Sequence, residues 1–153
     1  IKSFAKFQKT HKLFSLQLYG SGTTKEKLRI LIKNLKFFKK IKLNKFKSNI
    51  YPYIKHSSGL LMSSKWEGMP NIAQEALILN KKVLLTDCES GPKELKNFGY
   101  RLFLTNVNSN KNYVKNLISL VKLKNINNES INKRYFKLYE ISLQKLLLCM
   151  EKI

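Results

Sequence analysis

Short apolar runs alternate along this chain with longer stretches whose apolar residues fall at helical spacing. Ile1, Phe4, Ala5 and Phe7 share one helical face within residues 1–10. Leu13 to Tyr19 predicts a strand that ends at Gly20-Ser21-Gly22. Thr23 or Thr24 then caps a helix with Leu28, Leu31, Ile32 and Leu35 on one side. Ile41-Lys42-Leu43 predicts a short strand, Ile50 to His56 a short helix and Gly59-Leu60-Leu61-Met62 a buried strand. A loop through Glu67, Gly68 and Pro70 feeds a helix from Asn71 to about Leu79. Val83 to Thr86 is a second buried strand, Pro92 opens another helix, and Leu102-Phe103-Leu104 forms a last strand. Helices near 110–122 and 130–151 follow.

Strands that are continuous apolar runs, each followed by a helix, predict a parallel sheet covered on both faces, an α/β doubly wound domain. No repeat or Pro-rich linker divides the chain, so residues 1–105 read as the sheet core and 106–153 as a helical tail. At 153 residues and 43% hydrophobic, it is large enough to bury a substantial core. No run of eighteen apolar residues suggests a transmembrane helix. The start resembles no signal peptide and lacks an initiator Met, so the chain reads as part of something longer. Cys88 and Cys149 sit far apart in apolar stretches, as free thiols of a reducing cytoplasm would, with a disulfide as the alternative.

The net charge of +21 invites a nucleic-acid reading. Only Arg29, Arg101 and Arg134 among the thirty basic residues are not Lys, whereas phosphate and base recognition favours the Arg fork. Runs such as Lys124-Asn125-Ile126-Asn127-Asn128 point to a compositional bias spread over the surface, with no specific nucleic-acid partner. Such a field still attracts anionic membranes or polyanions, with steep salt dependence.

In doubly wound folds ligands bind beyond the carboxyl ends of the strands, which singles out two loops. Gly20-Ser21-Gly22 lies between a strand and a helix, where glycines serve a tight turn as readily as a ligand. Ser63 to Ala76 is richer. It leaves a buried strand, turns at Gly68 and enters a helix whose free N–H groups make an anion site. Gly68 allows close approach of a ligand. Glu67 and Glu75 flank that helix start, where carboxylates can accept hydrogen bonds from sugar hydroxyls. An arbitrary pair of glutamates at this spacing would instead be two solvated surface residues.

Glu67-Gly68-Met69-Pro70-Asn71 through Glu75-Ala76, with Ser64 before it, resembles the S-x-x-E-G-x-P-x-x-x-x-E-A signature of glycosyltransferase family four and its GT-B relatives. Leu16 to Gly22 is similar to that family's strand and glycine turn, and Asp87-Cys88-Glu89-Ser90-Gly91-Pro92-Lys93-Glu94-Leu95 to the segment after the signature. The similarity covers about residues 1–105, in order. It implies a Rossmann-like sheet, the C-terminal donor-binding half of a GT-B enzyme. It also implies a retaining glycosyltransferase working with a UDP- or GDP-type sugar and with no cofactor or bound metal, because helix ends and cations neutralise the diphosphate leaving group. Bacterial surface polysaccharide, lipopolysaccharide or glycan assembly is the setting that follows.

By the same resemblance Glu67, the catalytic candidate, would contact hydroxyls of the donor sugar, and Glu75 the two ribose hydroxyls. Backbone N–H groups of Gly68, Met69, Asn71 and Ile72, in the stretch through Pro70, would hold sugar and diphosphate. Gly20 and Gly22 would border the diphosphate, and Lys47 and Ser48 would lie near the base. An acceptor, lipid-linked or saccharide, would be bound by a separate N-terminal domain, in a protein that is cytoplasmic or peripheral to a membrane.

The family's cationic G-R-x-x-x-x-K-G-like loop would lie upstream of Ile1, as would a strand placed between those read at 13–19 and 59–62. The chain alone is therefore expected to bind donor weakly and transfer nothing. The competing readings are an inactive truncated fragment, a non-enzymatic polyanion- or nucleotide-binding module, and another GT-B enzyme such as a phosphorylase or epimerase.

Overall fold

The computed structural model describes the backbone of residues 1–36, 39–124 and 126–150, with side chains of all of these except 143 and 145–150. The Cys149 side chain and residue 151 of the expected tail helix lie outside the described residues. Helix and strand alternate as α1 (Lys2–Gln8), β1 (Leu16–Tyr19), α2 (Lys25–Asn34), β2 (Ile41–Asn44), α3 (Tyr51–Lys55) and β3 (Gly59–Leu61). They continue as α4 (Asn71–Ile78), β4 (Lys82–Asp87), α5 (Pro92–Asn97), β5 (Phe103–Asn106), α6 (Asn110–Lys122) and α7 (Glu129–Met150).

All strand pairs are parallel, but they form two sheets, β1-β2 and β3-β4-β5. The division falls between β1 and β3, the place where the family resemblance puts a further strand. A shared apolar cluster holds the two sheets together. Phe4, Phe7, Ile32, Ile41, Leu84, Leu117 and Leu120 are buried in it, and Leu16, Leu18, Leu43, Leu61 and Phe103 pack against it.

β4 explains why its sequence is an unbroken apolar run. Neighbouring side chains of a strand point to opposite faces. Leu84 enters the cluster under α1, α2 and α6, while Val83 and Leu85 enter another formed by Ile54, Ala73, Ala76, Leu77, Leu95, Tyr100 and Leu102. Both faces of β4 are thus dry, and a three-layer α/β sandwich results.

Three expectations are corrected. Leu13 is outside the first strand and 96% exposed, because the chain between α1 and β1 folds into a turn in which Phe14 N–H donates to the His11 carbonyl. Thr24 occupies the N-cap of α2 without a capping hydrogen bond, its backbone being already helical. And α6, assigned to the tail, belongs to the core: Leu117 and Leu120 are buried against α1 and β4.

Candidate functional site

In a parallel sheet every loop that follows a strand emerges on the same edge, and all the candidate residues lie on such loops or on helices they lead into. Gly20 and Gly22 follow β1, Lys47 follows β2, and Glu67 to Ile72 follow β3, with Glu75 one turn inside α4. Gly20 and Gly22 both have φ of 153°, a conformation L side chains rarely adopt, so this turn requires glycine whatever it binds. The turn borders a hollow of about 220 Å³ lined by Tyr19, Ser21, Thr24 and Lys25 among others. A larger hollow of about 620 Å³ runs between α2 and the outer edge of β2 and contains none of the expected site residues.

The β3–α4 loop is built from its neighbours. The Tyr113 hydroxyl, on α6, donates to the Met62 carbonyl at 3.4 Å where the loop leaves β3. The Thr86 hydroxyl donates to the Ser64 carbonyl and the Ser90 hydroxyl to the Glu67 carbonyl, the latter at 2.7 Å. Gly91 lies so close that a Cβ on it would stand 1.7 Å from the Gly68 carbonyl oxygen and 2.7 Å from Cδ of Pro70. Gly68 itself is different: a Cβ there would meet nothing within 4 Å, which leaves open space beside the loop.

Pro70 is the buried N-cap of α4, without a side-chain cap. The N–H groups of Ala73 and Gln74 donate to the Pro70 carbonyl, whereas those of Asn71 and Ile72 have no acceptor among the described residues. Those are the unpaired donors a helix start offers to an anion. The far end of α4 is fixed by residues fifty positions away: Asn128 donates to the Leu77 carbonyl at 2.8 Å and Asn132 to the Ile78 carbonyl at 3.2 Å.

α3 connects the remaining candidates. Its Tyr53 ring packs at 4.8 Å on Tyr19, the residue before Gly20, and Lys47 Nζ lies 5.9 Å above the Tyr53 ring. Two residues earlier, Tyr51 faces Glu75 across α3 and α4, which pack together. The negative charge of Glu75 is the main cause that raises the Tyr51 pKa above the ordinary tyrosine value. Exchanging the carboxylate for an amide, Glu75→Gln, is expected to return Tyr51 toward that ordinary value. NMR titration of the Tyr51 ring would show it, and an unchanged midpoint would mean that the two side chains do not meet.

The structure thus joins Gly20 to Lys47 through Tyr19 and Tyr53, Glu75 to α3 through Tyr51, and Glu67 to the β4–α5 loop through Ser90. Trp66 beside Glu67 is 81% exposed, and Met69 is 45% exposed. Tyr51, Tyr53 and Thr86 carried no signal in the sequence, because Glu75, Tyr19 and Ser64, which they respectively face, lie 22 or more positions away. Cys88 is a buried free thiol. Among the described residues no group of three His, Cys, Asp or Glu side chains could hold a metal ion, and no helix is long and apolar enough to cross a membrane.

The Rossmann-like α/β layer, with its acidic, glycine-containing loop at the carboxyl edge, is of the GT-B type. Residues 1–136 match the family model described as glycosyl transferases group 1, and the chain belongs to that family. An uncharacterised glycosyltransferase of Methanocaldococcus jannaschii is 38% identical over 95 residues, covering 62% of this chain and 23% of that protein. The N-acetylgalactosamine-N,N'-diacetylbacillosaminyl-diphospho-undecaprenol 4-alpha-N-acetylgalactosaminyltransferase of Campylobacter jejuni is 32% identical over 127 residues, 81% of this chain and 34% of that one. The chain therefore spans only a quarter to a third of these relatives.

Solved structures share the fold at low identity. S. aureus TarM, in a complex containing UDP, superposes with a TM-score of 0.74 at 16% identity, over 90% of this chain and 31% of TarM. The pneumococcal O-GlcNAc transferase GtfA, with UDP and GlcNAc, gives 0.69 at 19%, over 93% of this chain and 32% of GtfA.

Proposed function

We propose that this chain is the donor-binding part of a retaining glycosyltransferase that moves a sugar from a nucleotide-diphosphate sugar, of UDP or GDP type, to a lipid-linked or saccharide acceptor. The observation that carries this reading is the β3–α4 loop: two carboxylates flank a helix start with free N–H groups at the carboxyl edge of a parallel sheet. Glu75 accepts hydrogen bonds from the ribose hydroxyls and Glu67 from the transferred sugar. The N–H groups of Gly68, Met69, Asn71 and Ile72 take the sugar and the diphosphate, while Gly20 and Gly22 border it. Lys47 and Tyr53 lie on the side of the base.

Charge builds on the diphosphate as the glycosidic bond breaks, and prearranged N–H dipoles stabilise it without needing a metal ion. A strand hydrogen-bonded to both β1 and β3 would join the two sheets, and the same reading draws that strand, the cationic diphosphate clamp and the acceptor domain from outside residues 1–153. The Campylobacter relative's name supports assembly of a surface glycan on a lipid carrier as the setting. That setting implies a cytoplasmic enzyme at the periphery of an anionic membrane, to which the +21 charge would draw it.

Calorimetric titration of the full-length protein with UDP, GDP and duplex DNA at physiological salt tests the reading. One of the two nucleotides is expected to bind with a preference over the other, and DNA only weakly, at roughly micromolar or poorer affinity. Submicromolar binding of DNA without any nucleotide preference would make the chain a polyanion-binding module instead.

A further inference from the structure

We propose that Ser90 and Gly91 are positioning residues that lock two peptide planes of the β3–α4 loop, so that the N–H groups of Gly68 and Met69 face the ligand. The inference deepens the donor-site reading above and rests on it.

Ser90 Oγ donates to the Glu67 carbonyl at 2.7 Å, and the Gly68 carbonyl points end-on at Gly91, its oxygen 1.7 Å and its carbon 2.8 Å from the place of the absent Cβ. The structure contains no cis peptide bond among the described residues. In a trans peptide the C=O of one residue and the N–H of the next point to opposite sides. With the Glu67 oxygen held by Ser90, the Gly68 N–H points away from the β4–α5 loop. With the Gly68 oxygen against Gly91, so does the Met69 N–H.

Space is open beside Gly68, where a Cβ would meet no protein atom within 4 Å. Like those of Asn71 and Ile72, the two N–H groups have no acceptor among the described residues. Thr86 holds the Ser64 carbonyl in the same way three residues earlier. Glycine turns flip between peptide-plane orientations at low cost, because glycine accepts φ of either sign. A flip here would replace a donor N–H with the negative end of a carbonyl dipole, facing an anionic diphosphate.

Ser90 supplies a further sign that its place is imposed. Its φ is 145°, a backbone conformation rarely adopted outside glycine. A serine kept there, with its hydroxyl on the neighbouring loop, exchanges local strain for control of that loop.

The test uses the full-length protein with Ser90→Ala, titrated with UDP and GDP and with uridine and guanosine. The variant is expected to bind the preferred nucleoside diphosphate about tenfold more weakly, the scale of misdirected hydrogen bonds to a charged group. The nucleoside, which lacks the diphosphate, should bind within about twofold of wild type. With selective nitrogen-15 labelling, the Gly68 and Met69 amide signals should shift in the ligand-free variant. Equal losses for diphosphate and nucleoside, or unmoved amide signals, would overturn the lock. Wild-type protein that binds neither UDP nor GDP would overturn the donor reading instead, whatever the amide signals do.

Discussion

Gly91→Ala in the full-length enzyme is expected to lower the rate of sugar transfer by at least about a hundredfold and to lower thermal stability as well. The new methyl would stand 1.7 Å from the Gly68 carbonyl oxygen, less than half a van der Waals contact, and 2.7 Å from Pro70. Neither neighbour is the free end of a flexible side chain, so the loop from Glu67 to Pro70 must move by more than an ångström. Displacements of that size around reacting groups cost about two orders of magnitude in rate. Overpacking of a buried contact adds about 1–3 kcal/mol of instability. Gly68→Ala is the informative partner. Its methyl meets no protein atom and its φ is not in the left-handed region, so thermal stability should stay near that of wild type. If the open space belongs to the donor, Gly68→Ala still weakens donor binding. Turnover and thermal melts of the two variants check this. Wild-type turnover in Gly91→Ala would show that the loop has no need of its support.

Glu67 and Glu75 should fail in different ways. Glu75→Ala is expected to weaken binding of the free nucleoside diphosphate itself by roughly ten- to a hundredfold. The lost hydrogen bonds join ribose hydroxyls to a charged group, at about 1.5–3 kcal/mol. Glu67→Ala removes contacts to the transferred sugar, which the free diphosphate does not carry. Its affinity for the nucleoside diphosphate should stay near that of wild type. Its turnover should fall by about two orders of magnitude, the scale of losing one group that stabilises charge in a transition state. Calorimetry with the nucleoside diphosphate, set beside transfer rates, separates the two roles. If both variants bind nucleotide and transfer sugar as wild type does, the two carboxylates are surface residues and the donor assignment falls.

The layering of the fold was legible because it is local and repetitive. Val83 to Thr86 is too short and too apolar for anything but a strand buried on both faces, and β4 is that strand. Asn71 to Ile78 follows a proline that opens the helix, and the structure keeps Glu75 one turn inside it. Glu67, Gly68 and the free helix start were readable for the same reason: they lie within five positions of one another. The glycine turn after β1 was also readable, since φ of 153° at Gly20 and Gly22 leaves few other residue types.

Contacts between distant segments decided the rest. Leu13 continues the apolar run on paper, but a turn tied to His11 throws it into solvent. The sheet that the pattern implied divides between β1 and β3, since strand pairing depends on which edges meet and not on the composition of either strand. In the sequence Ser90 and Gly91 stand only as part of Asp87 to Leu95, the segment similar to the family's stretch after the signature. Their importance comes from a loop 23 positions earlier that folds against them. Tyr51 meets Glu75 only because α3 and α4 pack side by side. Spacing along the chain can show which groups one element presents, but the partner each group finds is fixed when the layers close and bring separate loops to the same edge.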